Sequence, residues 1–211
     1  MILDRLFARF YDSVLKDTEE HGLRDMRAAL VGDLAGTVVE LGAGTGLNLD
    51  HYPAAVTRIV ATEPDPHMAK QLRAKVADGH GGGASRVEVV QAGAERLPVA
   101  DGEADAVVAT LVFCTIPDAP AAAAEAVRVL RPGGVLRFIE HVRSSDPGLA
   151  RWQDRLDRPW GVLAAGCHPN RDTVALLRAT AGLEVGEVRD DRLPKAPKLV
   201  RPLALGEAVR A

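Results

Sequence analysis

The sequence predicts a single-domain α/β protein built on a mostly parallel sheet of seven strands. Three observations predict this fold: strand-like and helix-like segments alternate along the chain, no linker or internal repeat divides it, and 211 residues suit one hydrophobic core. Alternating strands and helices form a parallel sheet with helices on both faces. Two strand-like segments, 183–189 and 203–210, end the chain, and we expect this pair to close the sheet with an antiparallel terminal strand.

The remaining elements follow from periodicity. Apolar residues spaced three and four apart predict an amphipathic helical segment over residues 1–33, which serves as a layer over the core, as a lid over a site, or as both. We treat residues 1–33 as an N-terminal helical lid and residues 34–211 as the core of the same domain. A helix is expected after the glycines near residue 44, and a flexible loop over 80–85. The predicted strands cover 37–41, 58–63, 86–91, 105–113 and 135–142, and the predicted helices cover 66–77 and 119–130, with helix and loop over 147–181.

Composition argues against several kinds of partner. The formal net charge of -3 argues against nucleic acid, because a surface that binds phosphates is normally basic. The two cysteines and six histidines show no metal-binding spacing, so we expect no metal. Unpaired cysteines fit a reducing compartment. Charged residues interrupt the first twenty positions, so we expect neither a signal peptide nor a membrane span there. We therefore expect a cytoplasmic protein, and its oligomeric state stays open.

The first predicted strand runs into a glycine turn, "GAGTG" at 42–46. Ligands of parallel sheets bind beyond the carboxyl ends of the strands, so the turn lies where a ligand is expected. Its spacing differs from the dinucleotide pattern GxGxxG, and no lysine follows, which excludes a P-loop. A purely structural turn stays open, because glycine suits any tight turn. Glu63 ends the second predicted strand, where a carboxylate accepts hydrogen bonds from a ribose or is merely exposed; together the two features indicate a nucleoside ligand.

Four ordered segments resemble the class I S-adenosylmethionine-dependent methyltransferases. They are "VVELGAGTGLN", "ATEPDPHM", "AGAERLPVADGEADAVVATLVFC" and "EAVRVLRPGGVLRFIEHV". Their order and spacing are similar to the family over residues 37–142. The resemblance implies a Rossmann-like fold, methyl-transfer activity and S-adenosyl-L-methionine as the cofactor, with S-adenosyl-L-homocysteine as its product.

The resemblance also implies roles for the matching positions. Glu40 and the glycine-turn backbone would hold the amino acid part of the cofactor, and Glu63 the ribose. Gly93 stands where many relatives have an adenine-binding aspartate, which shifts this contact to Glu95 or to the backbone. Tyr11 is a candidate for resting against the sulfonium, and a core tyrosine is the alternative. Met68, Ala94 and Glu95 would lie near the adenine, and Thr110 and Leu111 near the methyl group. The whole predicted cofactor set is Tyr11, Glu40, Gly42, Ala43, Gly44, Gly46, Asn48, Glu63, Pro64, Met68, Ala94, Glu95, Thr110 and Leu111.

The segment after the fourth predicted strand constrains the acceptor. Amino methyltransferases carry a [DNS]PP[YFW] motif there, whereas this chain has "TLVFC" at 110–114. Transfer to a planar amine or amide is therefore disfavoured, and the apolar residues form either a pocket wall or core. His141, at the end of the fifth predicted strand, is a candidate general base because an ordinary histidine pKa near ~6.5 suits proton transfer. A structural histidine is the alternative, and His168 is a weaker candidate.

The carboxyl third resembles the methyltransferase-like 7 branch of thiol methyltransferases and its bacterial relatives. The similarity rests on "WQDRLDRPWGVLAAGCHPNRDTVALLRATAGLEV" and "RPLALGEAV", and it extends from about residue 7 to the end. It implies a small, largely apolar thiol as the acceptor. C-, O- or N-methylation of a quinone, phenol, phospholipid or natural-product intermediate stays open. A nicotinamide-dependent oxidoreductase and a non-catalytic cofactor-binding module are the alternatives from other classes.

Overall fold

A computed structural model describes residues 11–211 of the chain and confirms the predicted seven-stranded α/β sheet. The strand order is β3-β2-β1-β4-β5-β7-β6, and β7 is antiparallel to both of its neighbours. The strands are β1 (Gly36–Leu41), β2 (Val56–Thr62), β3 (Val87–Val90), β4 (Ala104–Thr110), β5 (Leu130–His141), β6 (Leu183–Arg192) and β7 (Pro202–Arg210).

Helices cover both faces of the sheet. They are α1 (helical over 11–18), α2 (Arg24–Val31), α3 (Pro66–Ala77), α4 (Ala119–Val129), α5 (Pro147–Leu163) and α6 (Thr173–Ala179), and a π-helical turn (Glu19–Leu23) joins α1 to α2. Apolar residues of α2 and α3 belong to the core cluster on one face, and those of α4 and α6 belong to the cluster on the other. Residues 1–10, the beginning of the predicted lid, lie outside the described residues.

The strand order reverses between β1 and β4, which both pair in parallel with their neighbours. A crevice forms beyond the carboxyl ends of parallel strands at such a switch point, and ligands bind there. Side chains alternate between faces along β1: Val39 and Leu41 enter the cluster under α4, while Val38 enters the cluster under α2 and α3. Glu40 therefore lies on the α2 side, at the switch point.

Several element boundaries differ from the prediction. The strand predicted over 135–142 begins already at Leu130, because Leu130 pairs with Ala104 of β4 across an irregular stretch before the regular pairing continues from Val135. The strand predicted over 105–113 ends at Thr110, because Leu111 takes a left-handed φ of 57° and turns the chain. The helix expected after the glycine turn is only a short 3₁₀ turn, Leu49–His51. Tyr52 precedes Pro53 and is extended, as residues before proline usually are. The predicted flexible loop over 80–85 is also a short 3₁₀ turn.

Candidate active site

The glycine turn leaves β1 through three residues with left-handed backbone. Gly42, Gly44 and Gly46 have φ values of 53°, 58° and 84°, which glycine adopts without strain. A Cβ on Gly42 would overlap Cγ2 of Val112, whereas a Cβ on Gly44 would meet nothing closer than 3.8 Å. The space beside Gly44 is bordered by Sδ of Met68 and Cε1 of Tyr11. The turn thus lets a ligand approach the backbone at Gly44, between two of the predicted cofactor residues.

Glu63 lies directly beside this turn. Its Oε2 accepts a hydrogen bond from the Gly44 amide at 2.9 Å, and its Oε1 accepts one from the Asp65 amide at 2.8 Å. The side chain is buried, and burial raises its pKa. Each carboxylate oxygen has a second lone pair, so Glu63 keeps capacity for two further donors. This acceptor pair fits the two hydroxyls of a ribose.

Glu40 is held on both oxygens. Asn48 Nδ2 donates to Oε1 and the Tyr52 hydroxyl donates to Oε2, both at 2.9 Å. Burial raises the pKa of Glu40 to about 7. Asn48 Nδ2 also lies 3.1 Å from Oγ1 of Thr110, at the end of β4. Asn48 therefore joins the two strands that border the switch point.

The N-terminal helices are tied into the same network. Arg27 of α2 donates from Nη1 to Oδ1 of Asn48 and from Nε to Oε1 of Glu19, both at 2.9 Å. Arg27, Glu19 and Asn48 are all buried. Neither Arg27 nor Glu19 nor Tyr52 was predicted from the sequence as a site residue. A signal existed for one of them, since Arg27 falls on the apolar stripe of α2 with Leu30 and Val31, where a charge needs a partner.

A second tie joins α1 to the glycine turn. The Thr45 hydroxyl donates to Oδ1 of Asp12 at 2.5 Å, and Nζ of Lys75 lies 3.2 Å from Oδ2 of the same carboxylate. Tyr11, next to Asp12, has its pKa raised to about 12, mainly by burial. Its phenol is therefore neutral near pH 7. The described part of the predicted lid contacts the glycine turn directly.

The predicted adenine side follows β3. Ala94 and Met68 are buried, Glu95 is half-buried and Pro64 is exposed. A Cβ on Gly93 would lie 2.6 Å from Oε2 of Glu95. The Glu95 carboxylate thus lies where a longer side chain at position 93 would begin. This placement is compatible with Glu95 taking over the contact of the missing aspartate.

His141 fits a general base less well than its residue type suggested. It is 8% exposed, and its Nδ1 has no hydrogen-bond partner among residues 11–211. Burial lowers its pKa to about 4, so the ring is neutral and weakly basic at pH 7. His168 instead forms a partly exposed pair with Asp157, at 2.9 Å. Within the described residues, no cluster of three histidine, cysteine or acidic side chains could hold a metal.

The structure therefore gathers most of the predicted cofactor set around one turn. Tyr11, Glu40, Asn48, Glu63, Met68 and Thr110 are linked to the glycine turn or to one another by the contacts above, while Pro64 lies outside this group. Two surface clefts, of about 490 and 640 Å³, lie elsewhere and include no residue of the set. Among residues 11–211, no helix is long and apolar enough to cross a membrane.

Comparisons with known proteins identify the family. Residues 39–138 match a family described as "Methyltransferase domain". The chain is 34% identical over 175 residues to the thiol S-methyltransferase TMT1A of Homo sapiens, covering 82% of this chain and 70% of that protein. It is 31% identical over 176 residues to the ubiquinone/menaquinone biosynthesis C-methyltransferase UbiE of Methylobacterium nodulans, covering 77% and 68%. A geranyl diphosphate methyltransferase solved in complex with SAM superposes with a TM-score of 0.70 at 15% identity, covering 90% of this chain and 84% of that one.

Proposed function

Because the chain belongs to the class I S-adenosylmethionine-dependent methyltransferases, we propose that it methylates a small, largely apolar thiol. The similarity to a thiol S-methyltransferase over 82% of the chain carries this proposal. The turn after β4 supports it, because Val112 and Phe113 are apolar and buried there. We also propose the cytoplasm as the compartment, since Cys114 and Cys167 are both unpaired.

Cofactor binding is assigned to the turns after β1 and β2. The open side of Gly44 admits close backbone approach, and Glu63 accepts the ribose hydroxyls with its remaining lone pairs. Glu40 and Asn48, which lie beside the end of β4 at Thr110, would hold the methionine part. Tyr11 borders the same space as a neutral phenol. Once bound, the cofactor supplies an electrophilic methyl group on a sulfonium.

A thiol acceptor needs little help from the protein. A free thiol has a pKa near ~8.5, so a few per cent is already thiolate at neutral pH. Ionisation releases the proton to solvent before transfer, and the protein then has to align the nucleophile. Positioning of this kind is worth roughly 7–11 kcal/mol. The weakly basic His141 is therefore compatible with sulfur as the acceptor, and its predicted role is reduced to orienting the acceptor.

A second candidate is C-methylation of a quinone precursor. It is supported by the 31% identity to a ubiquinone/menaquinone C-methyltransferase. Carbon acceptors of this kind are activated by removing a phenolic proton, which calls for a base in the site. His141, with its pKa lowered to about 4, is a poor group for that task. We therefore favour the thiol.

The experiment that separates these candidates is a panel of acceptors. Purified protein is incubated with S-adenosylmethionine and an alkyl thiol, an aryl thiol, a phenol, a quinol or an amine, and methylated products are identified by mass spectrometry. Glu63→Ala serves as the control, because it impairs the cofactor site without touching the acceptor side. We expect methylation of thiols only. Efficient methylation of a quinol or amine, with no thiol methylated, would remove the thiol proposal and leave methyl transfer intact.

A further inference from the structure

The turn after β4 is held by side-chain hydrogen bonds from two sides. We call residues 111–116 the β4 turn. Oε1 of Glu140, in β5, accepts hydrogen bonds from the Val112 amide at 2.9 Å and the Phe113 amide at 3.0 Å. From the other side, Nη1 of Arg171 donates to the carbonyl of Ile116 at 2.6 Å and to that of Phe113. One carboxylate and one guanidinium therefore hold the donors and the acceptors of the same short segment.

The β4 turn needs such a grip because it begins in a disfavoured conformation. Leu111 has a φ of 57°, and a bulky residue rarely adopts this left-handed region. Conformations of this kind persist only where the surroundings hold them. The Leu111 amide still donates to the Ile139 carbonyl at 2.7 Å, so the chain reverses immediately after its last contact with the sheet. The reversal turns the next amides toward Glu140.

The β4 turn is also a wall of the cofactor crevice. Val112 packs so closely against Gly42 that a Cβ on the glycine would overlap its Cγ2. Thr110, immediately before the turn, lies 3.1 Å from Nδ2 of Asn48. A displacement of the turn would therefore change the side of the crevice that borders β4, where the methyl group is expected.

Glu140 is buried away from water, and its second oxygen is left over. The residue is 0% exposed, and Oε2 has no close hydrogen-bond partner among residues 11–211, although the Cys114 amide also stabilises the ionised carboxylate. The charged and titratable groups that act on it are the guanidinium of Arg171 and the thiols of Cys114 and Cys167. Burial raises the pKa of Glu140 to about 7. The free Oε2 is the atom that can take the proton.

We propose that Glu140 is a positioning residue for methyl transfer, which holds the β4 turn against the glycine turn in the conformation that the reaction needs. The proposal rests on methyl transfer and not on the identity of the acceptor. The ionised carboxylate accepts charge-assisted hydrogen bonds, which are roughly twice as strong as neutral ones. A proton on Oε2 weakens both amide bonds. The hydrogen bonds that hold the β4 turn therefore strengthen as pH rises through about 7, and the rate of methyl transfer rises with them.

The kinetic test compares Glu140→Gln with wild type. Glutamine keeps the size and one carbonyl acceptor but cannot ionise, so we expect kcat to fall by about 10- to 100-fold, the cost of misplacing reacting groups. The affinity for S-adenosylhomocysteine in calorimetry should change less than kcat does. The matched control is Asp105→Asn, because Asp105 also accepts a backbone amide, that of Thr37 at 2.7 Å, but at the opposite, amino-terminal end of β4.

A pH profile separates positioning from a merely structural role. With an alkyl thiol as the probe, saturating S-adenosylmethionine and a pH range below the pKa of the thiol, log kcat/KM should rise more steeply with pH in wild type than in Glu140→Gln below pH 7. The difference in slope should reach up to about one, because only the wild type can ionise at position 140, and above pH 7 the two slopes should be equal. Equal slopes over the whole range, or an unchanged kcat in Glu140→Gln, would overturn the proposal.

Two further measurements keep the test decisive if Glu140→Gln folds poorly or no thiol is methylated. Arg171→Gln removes the guanidinium that donates to the Phe113 and Ile116 carbonyls, and we expect kcat to fall with whichever acceptor is methylated. Hydrogen exchange of peptides spanning 111–116, with S-adenosylhomocysteine bound, should be faster in Glu140→Gln and Arg171→Gln than in wild type and Asp105→Asn. Equal exchange in all four proteins would show that neither side chain holds the turn.

Discussion

Acid should destabilise the fold through His141, and the size of the effect is set by its burial. The pKa of this histidine falls from 6.5 to about 4 because the ring is buried in the folded protein. In the unfolded chain the ring is solvated and has its ordinary pKa. One pKa unit corresponds to about 1.4 kcal/mol, so the difference is worth roughly 3 kcal/mol.

The sign depends on which state binds the proton. Between pH 6.5 and about 4 the unfolded chain is protonated at His141 while the folded protein is not, so unfolding takes up a proton. The free energy of unfolding therefore falls as pH falls through this window. Glu40 and Glu140, whose pKa values are raised to about 7, act in the opposite direction, because they bind protons in the folded state. Only a comparison with a variant isolates the histidine.

The variant is His141→Gln, which cannot titrate and keeps a donor for the hydrogen bond to the Val200 backbone. Urea unfolding is measured from pH 7.5 to pH 4.5 for both proteins. At the upper end they should differ only by the constant cost of the substitution. The wild type should then lose about 2.5 kcal/mol relative to the variant by pH 4.5. Parallel curves over the whole range would refute the burial argument.

Three further predictions concern the site. Glu63→Ala strands the Gly44 and Asp65 amides and removes the ribose acceptor, so binding of S-adenosylmethionine should weaken by on the order of 1–3 kcal/mol; unchanged affinity in calorimetry, with the fold intact, would contradict the assignment. His141→Ala should keep a rate that rises with pH, whereas an essential base would cost about 10²–10⁴-fold. Hydrogen exchange over residues 11–31 should slow when S-adenosylhomocysteine binds, because Asp12 contacts the glycine turn. Equal exchange with and without the ligand would show that the segment only packs on the core and does not act as a lid.

The parts of the molecule that local sequence decides were predictable. The helix over 66–77 is observed as α3 (Pro66–Ala77) because its start is encoded locally: Asp65 accepts hydrogen bonds from the amides of His67 and Met68, and Pro66 takes the first helical position. The glycine turn is equally local, since three left-handed residues in five positions require glycine. Glu63 was predicted as a ribose acceptor because a strand end and an acid coincide in the sequence, and the structure places its carboxylate 2.9 Å from the Gly44 amide.

The parts that depend on distant residues were not predictable. Arg27 meets Asn48 across 21 positions, and Glu140 meets Val112 across 28. The hydrophobic pattern of the sequence does not show which buried charge contacts which turn, because those contacts depend on how α2 and β5 pack. The lowered pKa of His141 could not be predicted for the same reason: residue type gives only the ordinary value, and the burial that lowers it depends on the fold. The fold and the glycine turn were thus predictable, whereas the hydrogen-bond network around them was not.

The Glu95 carboxylate beside Gly93 has a consequence for how the two positions can vary. Since a Cβ at position 93 would lie 2.6 Å from Oε2 of Glu95, a side chain at 93 would displace the end of the flexible Glu95 side chain. Gly93→Asp should therefore cost little stability and should bring two carboxylates into the same loop. Because neighbouring like charges disfavour joint ionisation, the effects of Gly93→Asp and Glu95→Ala on cofactor binding should be non-additive. If Glu95 makes the contact that an aspartate makes in many relatives, the acid of this loop has moved by two positions, and a motif search that requires the aspartate would pass over such proteins.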